Sequence, residues 1–171
     1  MDMPNTVQKI IELSDGFLYI PSTTNIGVII DKKESVFDVY LIDSGNSELS
    51  GEYILDVLDE YFSEKKELYK IKAIINTHSH ADHCGGNVYI KNITNCQIWS
   101  MKDERGSIEN PILQTVIIWS GFTPKELQGL YFLPESSTPD KLIEDNEHIE
   151  LSGNRSITFI DLPGHYFQTA G

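Results

Sequence analysis

The chain has 171 residues, of which 40% are hydrophobic and 10% aromatic, which is enough for one domain with a packed core. The formal net charge of −13 gives the protein an overall field that repels polyanions and disfavours a nucleic acid partner. We predict no signal peptide, because the sequence lacks an N-terminal basic segment followed by an apolar stretch. We predict no membrane partner, because it also lacks a run of ~18 apolar residues. The only cysteines, Cys84 and Cys96, suit a reducing compartment, so we expect a cytoplasmic protein.

The first half of the chain changes from strand-like to helical patterns. Residues 16–20, 25–31 and 35–43 are short β-rich segments that predict an antiparallel meander. A helix is predicted after Ser47, a typical N-cap residue, because apolar side chains then recur on one helical face. They are Ile54, Val57, Leu58, Tyr61 and Phe62. Residues 71–75 form an apolar run that predicts an interior strand.

The second half contains further elements of both kinds. Gly85 and Gly86 permit tight backbone before a predicted helix, and residues 97–101 predict the next strand. Residues 111–133 are very apolar and predict two helices, which either pack in the core or form a wall or lid over a substrate pocket. After a polar connector at 134–141, residues 147–151 and 156–162 predict a hairpin.

Histidines and an aspartate cluster at the end of the predicted interior strand, in the segment IINTHSHADHCGG at residues 74–86. Side chains two residues apart in extended backbone point to the same side, so His78 and His80 can face one ion. His83 can turn elsewhere if the chain bends at Asp82, which permits a second site. Imidazole and carboxylate ligands suit Zn²⁺, and also Fe or Mn.

The segment THSHADHCGG resembles the signature of the metallo-β-lactamase superfamily. The segments LIDSG at 41–45 and LPGHYFQTAG at 162–171 are similar to further family segments and follow in the family's order. The resemblance covers essentially the whole chain. It implies an α+β fold, the αββα sandwich of two mixed sheets with outer helices, as a single domain over residues 1–171 with the metals at the sheet edge.

The resemblance also implies roles for individual residues. His78, His80 and His165 would bind the first metal, and Asp82 and His83 would belong to a second site. Asp82 would be catalytic because it orients the attacking water. The implied cofactor is one or two zinc ions, with Fe or Mn as alternatives.

Three other residues near these motifs have more ordinary interpretations. Asp43 is either an outer-shell carboxylate that orients a ligand imidazole or a strand-end residue that caps a turn. Cys84 is predicted to be a packing residue, and His148 a surface or interstrand side chain.

The sequence departs from the family pattern at its C-terminal end. Family members continue with further strands and helices, including an Asp that bridges the metals and a last His of the second site. We therefore expect a fragment that lacks the C-terminal portion of the domain and whose second sheet is incomplete. The alternative is a natural short form whose missing half comes from another chain.

Three functions follow from these observations. The first is a metal-dependent hydrolase that uses a metal-activated water on a small ester, thioester or lactone. The second is an iron-dependent oxidoreductase of the diiron flavoprotein or persulfide dioxygenase type. The third is a metal-binding module without catalysis. The expected partner is a small-molecule substrate in the first two cases.

Overall fold

In the part of the chain that the structure describes, seven strands form one sheet and are arranged in it in chain order. They are β1 (Ile11–Ser14), β2 (Phe17–Ile20), β3 (Ile26–Asp31), β4 (Phe37–Ile42), β5 (Tyr69–Asn76), β6 (Gln97–Met101) and β7 (Lys141–Ile143). Strands β1 to β4 pair antiparallel, which confirms the predicted meander, whereas β4 to β7 run parallel. The computed structural model describes residues 9–122, 124–127 and 133–171.

Five α-helices connect these strands in the described part of the chain. They are α1 (Glu48–Lys65), α2 (Ala81–Cys84), α3 (Asn87–Thr94), α4 (Arg105–Glu109) and α5 (Ile112–Trp119), with 3-10 turns at Lys102–Glu104 and Lys125–Leu127. Helix α1 begins as predicted, because the Ser47 hydroxyl accepts a hydrogen bond from the Ser50 amide at 3.4 Å. It ends at Lys65, and the next residue, Lys66, caps it in a left-handed conformation with φ 57°.

Both faces of the sheet are buried along its central strands. Consecutive side chains of a strand point to opposite faces, and in the buried stretches of these strands both sets of side chains are mainly apolar. On one face, Leu41 and Ile74 of the sheet lie in a core cluster with Ile54 and Phe62 of α1. Tyr40, Ala73 and Ile75 face the opposite side and belong to a second cluster.

A hairpin of β8 (His148–Leu151) and β9 (Arg155–Thr158) supplies part of that second cluster and forms a separate two-stranded sheet. The Asp31 carboxylate at the end of β3 accepts a hydrogen bond from the Ser152 amide at 2.7 Å, which ties the hairpin turn to the large sheet. The predicted hairpin is confirmed, although its second strand ends at Thr158. The fold is thus α+β as predicted, and the second sheet has two strands among the described residues.

The apolar segment at 111–133 differs from its prediction. The core-packing interpretation is wrong for α5, whose buried side chains are Gln114 and Thr115. Its large apolar side chains are exposed instead: Leu113, Ile117, Ile118 and Trp119. The physical reason is that the inner face of α5 meets the backbone carbonyl of Ser79, which a polar side chain can satisfy and an apolar one cannot. Residues 128–132 of the second predicted helix lie outside the described residues.

Short elements account for the other differences. Strands β1 and β7 and helix α4 were not predicted from the sequence, since each has three to five residues and gives no readable period. None of the helices that the structure describes combines the length and the apolar character needed to cross a bilayer.

Candidate metal centre

The candidate site lies where two neighbouring parallel strands end. Strand β4 ends at Ile42 and is followed by Asp43, while β5 ends at Asn76 and is followed by Thr77 and His78. Because carboxyl ends of parallel strands meet at one edge of a sheet, the two segments lie side by side. The Asp43 amide donates to the carbonyl oxygen of Ile75 at 2.9 Å and so joins them directly.

Three histidines converge at this edge. His78, His80 and His165 offer ligand nitrogens that all lie within 4.8 Å of one another. The Nε2 atom of His78 faces the Nδ1 atom of His80 at 2.9 Å. The ring of His165 is centred 4.8 Å from that of His78 and 5.0 Å from that of His80. His78 is buried, His80 half-buried and His165 exposed, so the group extends from the interior to solvent.

The Thr77 hydroxyl determines which nitrogen of His78 carries the proton. It donates its hydrogen to Asp43 Oδ2 at 2.8 Å, and it lies 3.0 Å from His78 Nδ1. Since its only hydrogen is used, the hydroxyl can only accept from a protonated Nδ1 of His78. The Nε2 atom of His78 then keeps its lone pair, as a metal ligand requires.

Asp43 also orients His83. The Nδ1 atom of His83 donates to Asp43 Oδ2 at 2.7 Å, which leaves its Nε2 atom facing Asp82 Oδ2 at 3.5 Å. Burial opposes protonation of His83, but the hydrogen bond and the charge of Asp43 outweigh it and raise the pKa of the imidazole. Asp43 therefore orients an imidazole, as the outer-shell interpretation predicted.

Asp82 and His83 lie beside the three histidines but not within their group. The ring of His83 is centred 4.0 Å from that of His78. The Asp82 carboxylate is 47% exposed and accepts a hydrogen bond from the Thr24 hydroxyl, in the β2–β3 loop, at 3.0 Å. The structure thus brings His78, His80 and His165 into one group and places Asp82 and His83 as a neighbouring pair.

The electrostatics favour the neutral form of His78 and His80. Burial, followed by the neighbouring rings of His83, His80 and His165, lowers the pKa of His78 to about 3. Burial and His165 also lower the pKa of His80. Neutral imidazole is the form that binds metal, and three such donors are a frequent zinc ligand set. The residues present therefore fit a zinc ion.

Glu104 is a polar residue at the site that was not predicted from the sequence. Glu104 accepts a hydrogen bond from the Ser79 amide at 2.7 Å and another from the Gln168 amide at 3.0 Å. Burial raises the pKa of the Glu104 carboxyl, although these two bonds oppose the effect. Its position just after β6 is the available signal, because groups that follow parallel strands gather at the same sheet edge.

Two other residues match their predictions. Cys84 is buried, and burial raises the pKa of its thiol, as expected for a packing residue. The His148 side chain is 60% exposed on β8, and its Nε2 atom lies 3.5 Å from Glu150 Oε1.

Solved metallo-beta-lactamases share this fold at low sequence identity. The subclass B3 protein BJP-1 of Bradyrhizobium japonicum is 21% identical, with a TM-score of 0.71 over 95% of this chain and 55% of that one. FEZ-1 of Legionella gormanii is 22% identical, with a TM-score of 0.72 over 99% and 58%. A beta-lactamase from Chitinophaga pinensis is 20% identical, with a TM-score of 0.72 over 95% and 55%.

The chain therefore spans little more than half the length of these three proteins. No curated protein sequence matches it significantly. Residues 19–166, which include every histidine discussed above, match the sequence profile of the metallo-beta-lactamase superfamily. The family segments are also the ones that the fold brings together at the sheet edge. On this evidence the chain belongs to the metallo-beta-lactamase superfamily.

Proposed function

We propose that this protein is a zinc-dependent hydrolase of a small ester, thioester or lactone. The observation that carries the proposal is the convergence of His78, His80 and His165, whose ligand nitrogens lie within 4.8 Å of one another. His78 and His80 follow the end of β5, and His165 lies far along the chain. The three imidazoles can therefore meet only when the chain is folded. The solved structures that share this fold are named beta-lactamases, which are hydrolytic enzymes, and this supports hydrolysis as the reaction class.

The roles of the residues follow from their positions. The three histidines would hold the zinc ion, which supplies a Lewis acid and makes water more acidic. Asp82 is the proposed catalytic residue, because its exposed carboxylate can accept a hydrogen bond from a water molecule and orient it. The Thr24 hydroxyl donates a hydrogen bond to Asp82 Oδ2 and so constrains the orientation of this carboxylate. His83 and Asp82 would contribute to a second metal position.

Aromatic side chains beside the histidines support an apolar substrate. The ring of Tyr166 is centred 4.5 Å from that of His80, and Phe167 packs against Tyr166 at 4.8 Å. Phe167 is 51% exposed, so it presents an apolar surface next to the site. Such a surface can bind the acyl part of an ester, thioester or lactone. Both cysteines are unpaired and buried, which supports a reducing location such as the cytoplasm.

The test is turnover by the full-length protein together with its metal content. Zinc should be present in stoichiometric amount, and at least one of a thioester, a lactone and a phenyl ester should be hydrolysed. A β-lactam belongs in the same panel, since the structural relatives are named beta-lactamases. His78→Ala should reduce kcat/KM by more than about 100-fold, because even outer-shell changes reduce activity by 10–100-fold.

His148→Ala is the matched control, because it removes an exposed histidine on β8 and should leave turnover unchanged. Turnover that survives His78→Ala would exclude the proposed metal role. Stoichiometric iron with redox-dependent absorbance would instead assign the site to an oxidoreductase. If zinc is bound and no substrate of the panel is hydrolysed, the result would favour a metal-binding module without catalysis.

A further inference from the structure

Glu104 is a buried carboxylate at the edge of the candidate site. It ends the 3-10 turn Lys102–Glu104 that follows β6, and its side chain is fully buried. A buried carboxylate is unfavourable unless hydrogen-bond donors compensate for its lost hydration. The donors that surround Glu104 therefore indicate what this residue does.

The first donor belongs to the segment that carries two of the histidines. Glu104 Oε2 accepts from the amide of Ser79 at 2.7 Å, and Ser79 lies between His78 and His80 in the chain. The Ser79 carbonyl accepts from Gln114 Nε2 and from Cys84 Sγ, the latter at 3.3 Å. Both backbone polar groups of Ser79 are thus held, and this constrains the backbone on either side of it.

The second donor belongs to the segment that carries the third histidine. Glu104 Oε1 accepts from the amide of Gln168 at 3.0 Å, and Gln168 lies three residues after His165. The neighbouring residue strengthens the connection, because the Asp103 amide donates to Gln168 Oε1 at 3.0 Å. One turn after β6 therefore holds both histidine-bearing segments.

We propose that Glu104 is a positioning residue of the metal centre. One carboxylate oxygen holds the segment of His78 and His80, and the other holds the segment of His165. The carboxylate therefore fixes the separation of the two segments, and the imidazoles are already placed for binding before the ion arrives. This inference rests on the three-histidine site proposed above, and it adds a residue that does not itself touch the metal.

The chemistry of the carboxylate suggests a sharp substitution. Glu104→Gln keeps the size of the side chain, but its amide nitrogen cannot accept a hydrogen bond. Glutamine can therefore hold either Ser79 or Gln168, but not both. Glu104→Asp keeps the charge and shortens the side chain by one methylene, so it too loses the simultaneous contact. Glu109→Gln is the matched control, since Glu109 pairs with Arg105 on the exposed side of α4.

The experiment measures Co²⁺ binding by the full-length protein and its variants. Affinity comes from competition with a chelator, and the visible absorption of bound Co²⁺ reports the ligand geometry. We expect Glu104→Gln and Glu104→Asp to weaken Co²⁺ binding by about 10–100-fold and to change the absorption spectrum. Glu109→Gln should match the wild type in both. Thermal unfolding of the chelator-treated proteins measures any general loss of stability separately.

The outcomes distinguish this inference from the proposed function. If the wild type does not bind Co²⁺, the three-histidine site itself is wrong. If the wild type and both Glu104 variants bind Co²⁺ equally well and with the same absorption spectrum, Glu104 is only a buried structural residue. This conclusion holds even if the variants unfold at a lower temperature.

If neither Glu104 variant folds, amide hydrogen exchange in the wild type decides the question. The amides of Ser79 and Gln168 should then be protected together. Exchange of either amide at the rate of an exposed loop would overturn the proposal.

Discussion

Asp43 serves the site with both its backbone and its side chain. Its φ of 68° lies in the left-handed region, which Gly, Asn and Asp adopt more readily than other residues. This conformation follows the end of β4. The Asp43 carboxylate accepts from the Thr77 amide and hydroxyl, each at 2.8 Å, and from His83. Asp43 therefore sets the orientation of two histidines, one directly and one through Thr77.

The first prediction at the residue scale is that Asp43→Asn lowers the pKa of His83. Asparagine tolerates the left-handed backbone, but it has no charge to stabilise the imidazolium, and its amide nitrogen cannot accept from Nδ1. In the wild type the raised pKa of His83 contributes stability below its ordinary value of about 6.5. That contribution is lost as the pH rises through the raised value. NMR titration of the imidazoles in chelator-treated protein measures the change.

Asp56→Asn is the control for Asp43→Asn. It removes the same charge from the exposed side of α1 and should leave the titration of His83 unchanged. An unaltered pKa of His83 in Asp43→Asn would show that the hydrogen bond to Asp43 does not stabilise the imidazolium.

Sequence reasoning at the residue scale succeeded where the relevant geometry is local. The spacing of His78 and His80 placed both on one side of extended backbone, and they do face each other. The role of Asp43 stayed open between two interpretations, because its partners Thr77 and His83 lie more than thirty residues away in the chain. Thr77 carries no signal of its own, since threonine is common at strand ends.

The glycine pair between α2 and α3 shows how elements constrain the site. A Cβ atom on Gly85 would collide with the backbone of Asn46, and one on Gly86 would collide with the carbonyl oxygen of Ser44. The turn after β4 and the start of α3 therefore touch through backbone alone. The prediction that these glycines permit tight backbone is confirmed, and the reason is close approach, since Gly85 has an ordinary helical φ of −65°.

At the element scale, Gly85→Ala should destabilise the protein by about 1–3 kcal/mol, because the backbone segments that meet there must separate. Urea unfolding at neutral pH measures the change in the free energy of unfolding. Gly106→Ala in α4 is the matched control, since no atom other than those of the adjacent residues and the helix's own backbone lies within 4 Å of the added carbon. It should stabilise by up to about 1 kcal/mol, as alanine favours helix. Equal effects of the two substitutions would contradict the close-approach argument.

Helix α5 shows where element-level reasoning fails. Its residues are apolar enough to predict a core helix, yet the side chains that it buries are Gln114 and Thr115. A hydrophobic pattern indicates that a helix forms and cannot indicate which face meets a polar backbone group. The acceptor that Gln114 satisfies belongs to Ser79, and only the tertiary structure brings the two residues together.

At the scale of the whole molecule, the site depends on bringing His165 to the end of β5. The Ala170 amide donates to the carbonyl of Thr77 at 2.8 Å, so the segment after His165 is bonded to the strand end. The Phe159 side chain lies in the second core cluster, which anchors the same region. Zinc that binds all three histidines would link these distant parts of the chain.

The whole-molecule prediction is that zinc raises the melting temperature and that His165→Ala removes most of the increase. Zinc at 100 times its dissociation constant adds about 2.7 kcal/mol, which corresponds to roughly 5–10 °C for a chain of this size. Differential scanning calorimetry with and without zinc measures the increase. Without zinc, His165→Ala should melt close to the wild type, because His165 is exposed.

His148→Ala is again the control, and it should retain the full zinc-dependent increase. An increase of the same size in His165→Ala would show that zinc is held without His165 and would argue against a three-histidine site.

The sequence by itself determined the fold class, the strand and helix that frame the site, and the pair His78 and His80. The fold class followed from the family resemblance, whereas the strand, the helix and the histidine pair followed from periodicity and motif spacing, which act over a few residues. The family resemblance also implied His165 as the third ligand, and the tertiary structure shows that it lies beside the other two. The tertiary structure alone decided that Asp43 and Thr77 orient the imidazoles and that Glu104 holds both histidine-bearing segments. Those contacts join residues far apart in the chain, and their positions depend on how the strands pair and pack rather than on any local pattern.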